Sequence, residues 1–256
     1  MKRVLSIFML CSLLVTITVG TVMAGTPDYQ IIEYTGGVVP VTVDGEWTTT
    51  DEWDDALTVE VTDDFVFLYN MYMDTYSCQY CVELFTDDTD DAGDYWEFCF
   101  DNGNDGGTAP QFGDYRVIIE GHTDMTVYQG NGQDWDEVTP AAGEITWADS
   151  ISDSPLESED HWILEFTFDK TISMITSAPP TGLRVAAYDA SNSGDGVQAW
   201  APDSDADVPD EWGLIYTYSQ DSIPEGFTFA VMAVLSSISM LVGTHYLRKR
   251  SNKKEQ

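Results

Sequence analysis

The chain predicts an all-β fold, an antiparallel β-sandwich, on three observations. Residues 65–73 alternate, with Phe65, Phe67, Tyr69, Met71 and Met73 on one side, a period of two that a helix would scatter. Residues 161–168 repeat the pattern, with Trp162, Leu164, Phe166 and Phe168 on one side. The rest of the middle of the chain is short apolar runs separated by loops rich in Gly, Asp, Asn and Pro. No run longer than a turn or two carries helical period. Roughly eight to ten strands without an internal repeat suit two packed sheets.

The elements follow in order. Residues 25–37 read as a polar leader, and 38–43 as a short strand that Pro40 places at a sheet edge. A turn at 44–47 leads to 50–56, read as one helical turn capped by Thr50 or Asp51. Strands 57–61 and 65–73 flank the Asp63-Asp64 turn. Residues 81–85 and 95–100 read as a hairpin whose turn, with Asp87, Asp88, Asp90, Asp91 and Asp94, is nearly all carboxylate. Strands are expected at 115–119 and 125–128, about Gly121 and His122. Residues 130–143 read as a loop carrying Trp135, 144–147 as a strand with Trp147, and 149–160 as an acidic loop. After 162–168 come a linker at 176–181, a strand at 183–188, a long acidic loop at 189–211 carrying Trp200, and a last strand at 212–218 that begins with Trp212.

The two ends differ from the middle. Residues 1–24 combine Lys2 and Arg3, an apolar run and Val22-Met23-Ala24, the three parts of a secretory signal peptide; the alternative is an uncleaved N-terminal anchor. Residues 227–247 contain no Asp, Glu, Lys or Arg. At about 1.5 Å per residue that length crosses a hydrocarbon core of roughly 30 Å, so a transmembrane helix is expected there. The basic tail 248–256, with Arg248, Lys249, Arg250, Lys253 and Lys254, stays on the cytoplasmic side. A domain at 38–218, joined by the linker 219–226 to a single membrane span, then faces the outside of the cell. The Pro224-Glu225-Gly226 step, the span and the basic tail resemble the C-terminal sorting tails of archaeal surface proteins.

Charge narrows the partners. The chain has 45 acidic and 10 basic residues, a formal charge of −35. Only Glu255 of the acidic residues lies beyond residue 226 and none lies in the leader, so 44 face outward against Arg116, Lys170 and Arg184, a formal −41. Nucleic acid is excluded as a partner, since its backbone is held by Lys and Arg. Such self-repulsion calls for a salt-rich medium or bound cations. Cys78, Cys81 and Cys99 lie in the outer part, where a disulfide from Cys99 to Cys78 or Cys81 is expected to staple the 81–100 hairpin. Buried thiols, or a zinc site on Cys78-x-x-Cys81 with Cys99, are the alternatives.

Six segments in order resemble family 9 carbohydrate-binding modules and their DOMON-like relatives. Val43-Asp44-Gly45, Asp51-Glu52-Trp53 and Ala56 are similar to that family's opening "DG…EW…A", and Phe67-Leu68-Tyr69 to its "LYV" strand. Cys81-Val82-Glu83-Leu84-Phe85-Thr86-Asp87 resembles "SVELFID", Tyr95-Trp96-Glu97-Phe98 "YYQF", and residues 161–168 "GYTFEIAIP". Ala199-Trp200-Ala201-Pro202 and Trp212-Gly213-Leu214 resemble the closing "W…P…FG". The resemblance implies a jelly-roll-like sandwich that holds sugars between aromatic rings, often beside structural calcium, with haem binding in some relatives. This chain departs in its short cysteine-bearing turn before the second core strand and in its acidic excess.

Three chemistries are then expected. Flat rings bind the apolar faces of a sugar, and Trp200, Trp135, Trp212 and Trp147 are the candidates for a polysaccharide or cell-surface glycan, with Trp200 and Trp135 in loops. Calcium takes six to eight oxygens, and Asp101 and Asp105 in the DNGNDGG loop, or Asp87, Asp88, Asp90, Asp91 and Asp94, would supply carboxylates; solvated acidic loops are the alternative. Met71, Met73, Met125 and His161 are the residues from which a haem-binding relative would draw axial ligands. No HExxH, GxSxG or glycine-rich phosphate loop is present, so a binding or structural surface protein is expected rather than an enzyme.

Overall fold

The structure, a computed structural model, describes residues 29–35, 39, 41–72, 77–169, 174–175 and 180–219. The expected signal peptide, residues 25–28 and 36–37 of the leader, the span at 227–247 and the basic tail lie outside the described residues, as does Met73.

Thirteen strands and one 3-10 turn (Pro209–Glu211) make up the described chain. They are β1 (Gln30–Thr35), β2 (Leu57–Glu60), β3 (Phe65–Tyr72), β4 (Ser77–Leu84), β5 (Tyr95–Asp101), β6 (Asp114–Glu120), β7 (Asp124–Gly130), β8 (Trp135–Val138), β9 (Ile145–Ser152), β10 (His161–Asp169), β11 (Thr181–Tyr188), β12 (Gln198–Trp200) and β13 (Gly213–Ser219). The larger sheet runs β1-β13-β11-β5-β6-β7-β8, with β12 also on β11; the smaller runs β2-β3-β4-β10-β9. Every pairing is antiparallel except β1 on β13.

Alternation builds the core. Phe65, Phe67, Tyr69 and Met71 of β3 face inward beside Cys78, Tyr80 and Val82 of β4 and Leu164, Phe166 and Phe168 of β10. They meet Trp96, Phe98 and Phe100 of β5, Val117 and Ile119 of β6, and Leu183 and Val185 of β11 across the sandwich. Phe98 stacks on Phe166 at 4.5 Å between centroids. Each fully buried side chain of this size contributes about 1.5–3 kcal/mol from removal of apolar surface from water. The smaller sheet is covered on its outer face too. Residues 41–56 lie over Leu68, Cys81 and Ile163, with Trp53 buried against them.

That covering strap corrects two expectations. Residues 41–43 form no strand, and 50–56 form successive turns, with Glu52, Asp54 and Ala56 donating to carbonyls three residues back, rather than a helical turn. The first described strand is instead β1, in the stretch read as a leader.

A third difference concerns residues 81–100. β4 pairs β3 and β10 in the smaller sheet, whereas β5 pairs β6 and β11 in the larger one. The acidic segment 85–94 therefore crosses between sheets, and no hairpin exists for a disulfide to staple. Cys78 faces the core, while Cys81, an odd number of residues away, points to the strap side. Cys99 lies in register with Arg116 and Arg184 on the far face of the other sheet. No disulfide forms among the described residues; all three thiols are buried and too dispersed to share a zinc ion. Burial, reinforced by Glu83, Glu165 and Glu52, pushes the Cys81 thiol well up, and burial does the same for Cys99.

Candidate functional site

The four tryptophans expected to bind sugar separate by burial. Trp212 is 0% exposed, and its indole donates to the Asp205 carbonyl at 2.9 Å. Trp200 is 6% exposed, edge-on to Phe67 at 5.6 Å, because β12 lays it across the end of the core. Neither offers a flat face to a ligand. Trp147 is half-buried on β9 at the margin of the core. Trp135 is half-buried on β8, and its indole donates to Asp207 Oδ1 at 2.8 Å. Trp135 and Trp147 stand on different sheets and cannot grip one ring between them.

Trp135 belongs to a richer surface, the outer face of the larger sheet. Arg184 of β11, Cys99 of β5, Arg116 of β6, Tyr128 of β7 and Glu137 of β8 form one cross-strand row. The next outward pair along β5 and β11 is Glu97 with Ala186, and the last is Tyr95 with Tyr188, stacked at 5.5 Å and 22°. Glu97 is buried and ion-pairs with both guanidiniums, Arg116 Nε lying 2.7 Å from its Oε2. Arg184 also donates to the Ser204 carbonyl and hydroxyl, which folds loop 201–211 over this end of the face. Burial lowers the Arg184 pKa, while Tyr95, Asp205 and Asp207 pull it back up. The result is four half-buried rings, Tyr95, Tyr188, Tyr128 and Trp135, around a fixed set of charges. Alternation alone points Tyr95 outward beside inward Trp96, so this residue was legible; the convergence of β5, β8 and β11 was not.

A groove of about 340 Å³ lies between the β2–β3 turn and loop 195–203, lined among others by Val61, Thr62, Val197, Gln198 and Pro202. No aromatic ring lines it, so it lacks a surface on which a pyranose stacks.

The acidic loops resolve into two clusters and a remainder. Asp101, Asp105 and Asp114 each offer a ligand atom within 4.8 Å of the others. Asp101 is held by the Asp105 and Gly106 amides at 3.3 and 2.8 Å, Gly106 taking a left-handed φ of 62° that permits this approach. Asp114, fully buried, accepts from Gln111 N through Oδ2, but its Oδ1 has no hydrogen-bond partner. Burial, with Asp101 and Asp105 adding to it, raises the Asp114 carboxyl to about 7. A divalent cation fits this set: hard oxygens, an orphan buried oxygen and no basic side chain among them. Asp114 was missed in the sequence because it opens a strand rather than the DNGNDGG loop.

Asp87, Asp94 and His122 form the second cluster, also within 4.8 Å. His122 sits in the tight β6–β7 turn, where Gly121 and His122 take φ of 53° and 57°, and its ring stacks on Trp162 at 3.4 Å. Its Nδ1 lies 2.7 Å from Asp149 and its Nε2 3.3 Å from Asp94. Burial disfavours the charged ring, but these two carboxylates outweigh it and raise the His122 pKa. Burial raises Asp87 to about 6, with Asp189 and Asp94 as like charges and the Thr89 amide opposing. Asp88 and Asp90 are exposed and Asp91 half-exposed, with none of the three in either cluster.

His161 is committed elsewhere: its Nε2 is 2.9 Å from Glu83 Oε2 beneath the strap, while Met71 is in the core and Met125 packs against it.

No family model and no curated protein matches this chain. Its fold is similar to that of a family 9 carbohydrate-binding module from Caldicellulosiruptor kristjanssonii in complex with glucose, at 12% identity over 77% of this chain and 99% of that one, TM-score 0.50. A family 9 module from the same organism in complex with cellotriose aligns at 13% identity over 76% of this chain and 96% of that one, TM-score 0.49.

Proposed function

We propose that this chain is a non-catalytic carbohydrate-binding protein, carried on the outside of the cell membrane by the span at 227–247. The observation that carries the reading is the open ring face of the larger sheet: Tyr95, Tyr188, Tyr128 and Trp135 stand around Glu97, Arg116 and Asp207. Aromatic faces take the apolar side of a pyranose, and fixed charged groups take its hydroxyls. The sandwich shared with a glucose-bound module supports a sugar as the ligand class. Glycan-array binding of the full-length chain, followed by calorimetric titration, tests it. Trp135→Ala lowers affinity at least about tenfold, about 1.4 kcal/mol, whereas Trp147→Ala leaves it unchanged. Loss on Trp147→Ala alone would move the site to β9, and no glycan bound at all would favour a structural or adhesive surface protein, the reading that the burial of Trp200 and Trp212 supports.

Calcium is the cation this reading assigns to Asp101, Asp105 and Asp114. Adding calcium at fixed ionic strength raises the melting temperature above the value in magnesium or sodium. Asp114→Asn removes that increment, and it stabilises the calcium-free protein by relieving a buried charge. An equal shift in all three salts, read by calorimetry, would leave the cluster as solvated carboxylates.

A further inference from the structure

The cluster around His122 is built as a metal site of a different kind from the all-oxygen set at Asp114. We propose that His122 Nε2, Asp94 and Asp87 bind a first-row transition-metal dication, zinc being the type case, with the Asp189 carboxylate beside the set. Three observations lead there.

The first is the orientation of the ring. Asp149 Oδ2 stands 2.7 Å from His122 Nδ1 and is itself held by the Trp96 indole at 3.0 Å. With the proton on Nδ1, the Nε2 lone pair is directed at the carboxylates. This carboxylate–histidine pairing is how metal-binding imidazoles are fixed in tautomer and direction. Trp162, stacked flat on the ring, prevents it from turning away.

The second is convergence. One ring nitrogen of His122 and one oxygen each of Asp87 and Asp94 lie within 4.8 Å of one another, a spread that small side-chain shifts close onto a single ion at about 2.0–2.2 Å from each ligand. Asp87 and Asp94 are 1% and 2% exposed.

The third observation lies outside that triad. Asp189 is 6% exposed, and its Oδ1 accepts from the Ser191 and Asn192 amides, yet its Oδ2 is buried with no hydrogen-bond partner. The neighbouring Ala190 amide donates to Asp94 Oδ1 at 2.7 Å, which seats Asp189 against the cluster. A buried carboxylate oxygen without a donor costs free energy unless a cation meets it. No Lys or Arg is bonded to Asp87, Asp94 or Asp189 among the described residues. An imidazole with carboxylates suits zinc, cobalt or manganese, whereas calcium prefers oxygen alone. The ion would tie together the 85–94 crossover, the β6–β7 turn and the segment after β11. The stacked Tyr95–Tyr188 pair sits one residue away from Asp94 and from Asp189.

The test uses the full-length chain, stripped with chelator and titrated with zinc chloride by calorimetry and with cobalt chloride by visible absorption. One equivalent of zinc binds in the micromolar range or tighter, and calcium in tenfold excess does not displace it. His122→Gln weakens binding at least about 100-fold, Asp189→Asn and Asp149→Asn about 10–100-fold, and Asp105→Asn not at all. X-ray absorption of the zinc-loaded wild type shows imidazole scattering, a readout that stands even if His122→Gln fails to fold. Absence of a stoichiometric site, oxygen-only coordination, displacement by calcium, or full binding by Asp189→Asn would overturn the proposal.

Discussion

Trp200 and Gly213 show how one side chain depends on another's absence. A methyl group built on Gly213 would overlap the six-membered ring of Trp200. The indole therefore packs over bare backbone, and Gly213→Ala is expected to destabilise the domain by at least about 2 kcal/mol. Chemical denaturation with the fluorescence of the indoles as readout checks this, and an unchanged midpoint would mean that the ring has somewhere else to go. The same contact explains why Trp200 reads as a loop residue in the sequence. Its strand is only three residues long, has no alternation of its own, and is placed by pairing with β11, which lays the ring against Gly213 and Phe67. Trp135 has the same appearance in sequence, and its half-exposed position follows from β8 being an edge strand.

At the scale of elements, the strap 41–56 is fixed by carboxylates of the sheet beneath it. Glu165 Oε2 accepts from the Asp44 and Gly45 amides at 2.8 and 3.1 Å, and Oε1 from the Trp53 indole at 3.0 Å. Glu83 accepts from the Trp47 indole, and Glu52 of the strap itself accepts from the Thr42 and Thr48 amides. Burial, with Glu52 adding to it and these donors opposing, raises Glu165 to about 7. A carboxyl that titrates near 7 when folded and near its ordinary value when unfolded binds more protons in the folded state between those limits. Its contribution is thus complete below about 4.5 and is lost as the pH rises through 7, on the order of 3 kcal/mol. The melting temperature measured from pH 5 to 8 should fall, and the fall should flatten in Glu165→Gln; parallel slopes would exclude Glu165 as the source. The strands β3 and β10 were legible because their largest side chains alternate onto the core face, even though the strap buries the other face as well. The sheet to which β4 and β5 belong was not, since a chain of carboxylates such as 85–94 serves a hairpin turn or a crossover equally well.

For the whole molecule, repulsion among carboxylates is the dominant long-range force. With a formal charge of −35 on the chain, screening is expected to stabilise the folded form. The Debye length falls from about 10 Å at 0.1 M salt to about 3 Å at 1 M, so the melting temperature should climb by several degrees over that range of sodium chloride. A flat response in calorimetry would show that tightly held counter-ions already neutralise the surface. The pairing of β1 with β13 has a mechanical consequence for an anchored protein. β13 pairs with β11 only at Gly213, Leu214 and Ile215, whereas β1 pairs with it from Leu214 to Ser219, so its exit end is held by β1. If the span at 227–247 anchors the chain as proposed, a pull along the axis of β13 would have to shear it past β1 instead of peeling it off rung by rung. Such a tether would load the β1–β13 pairing in its stiffest direction.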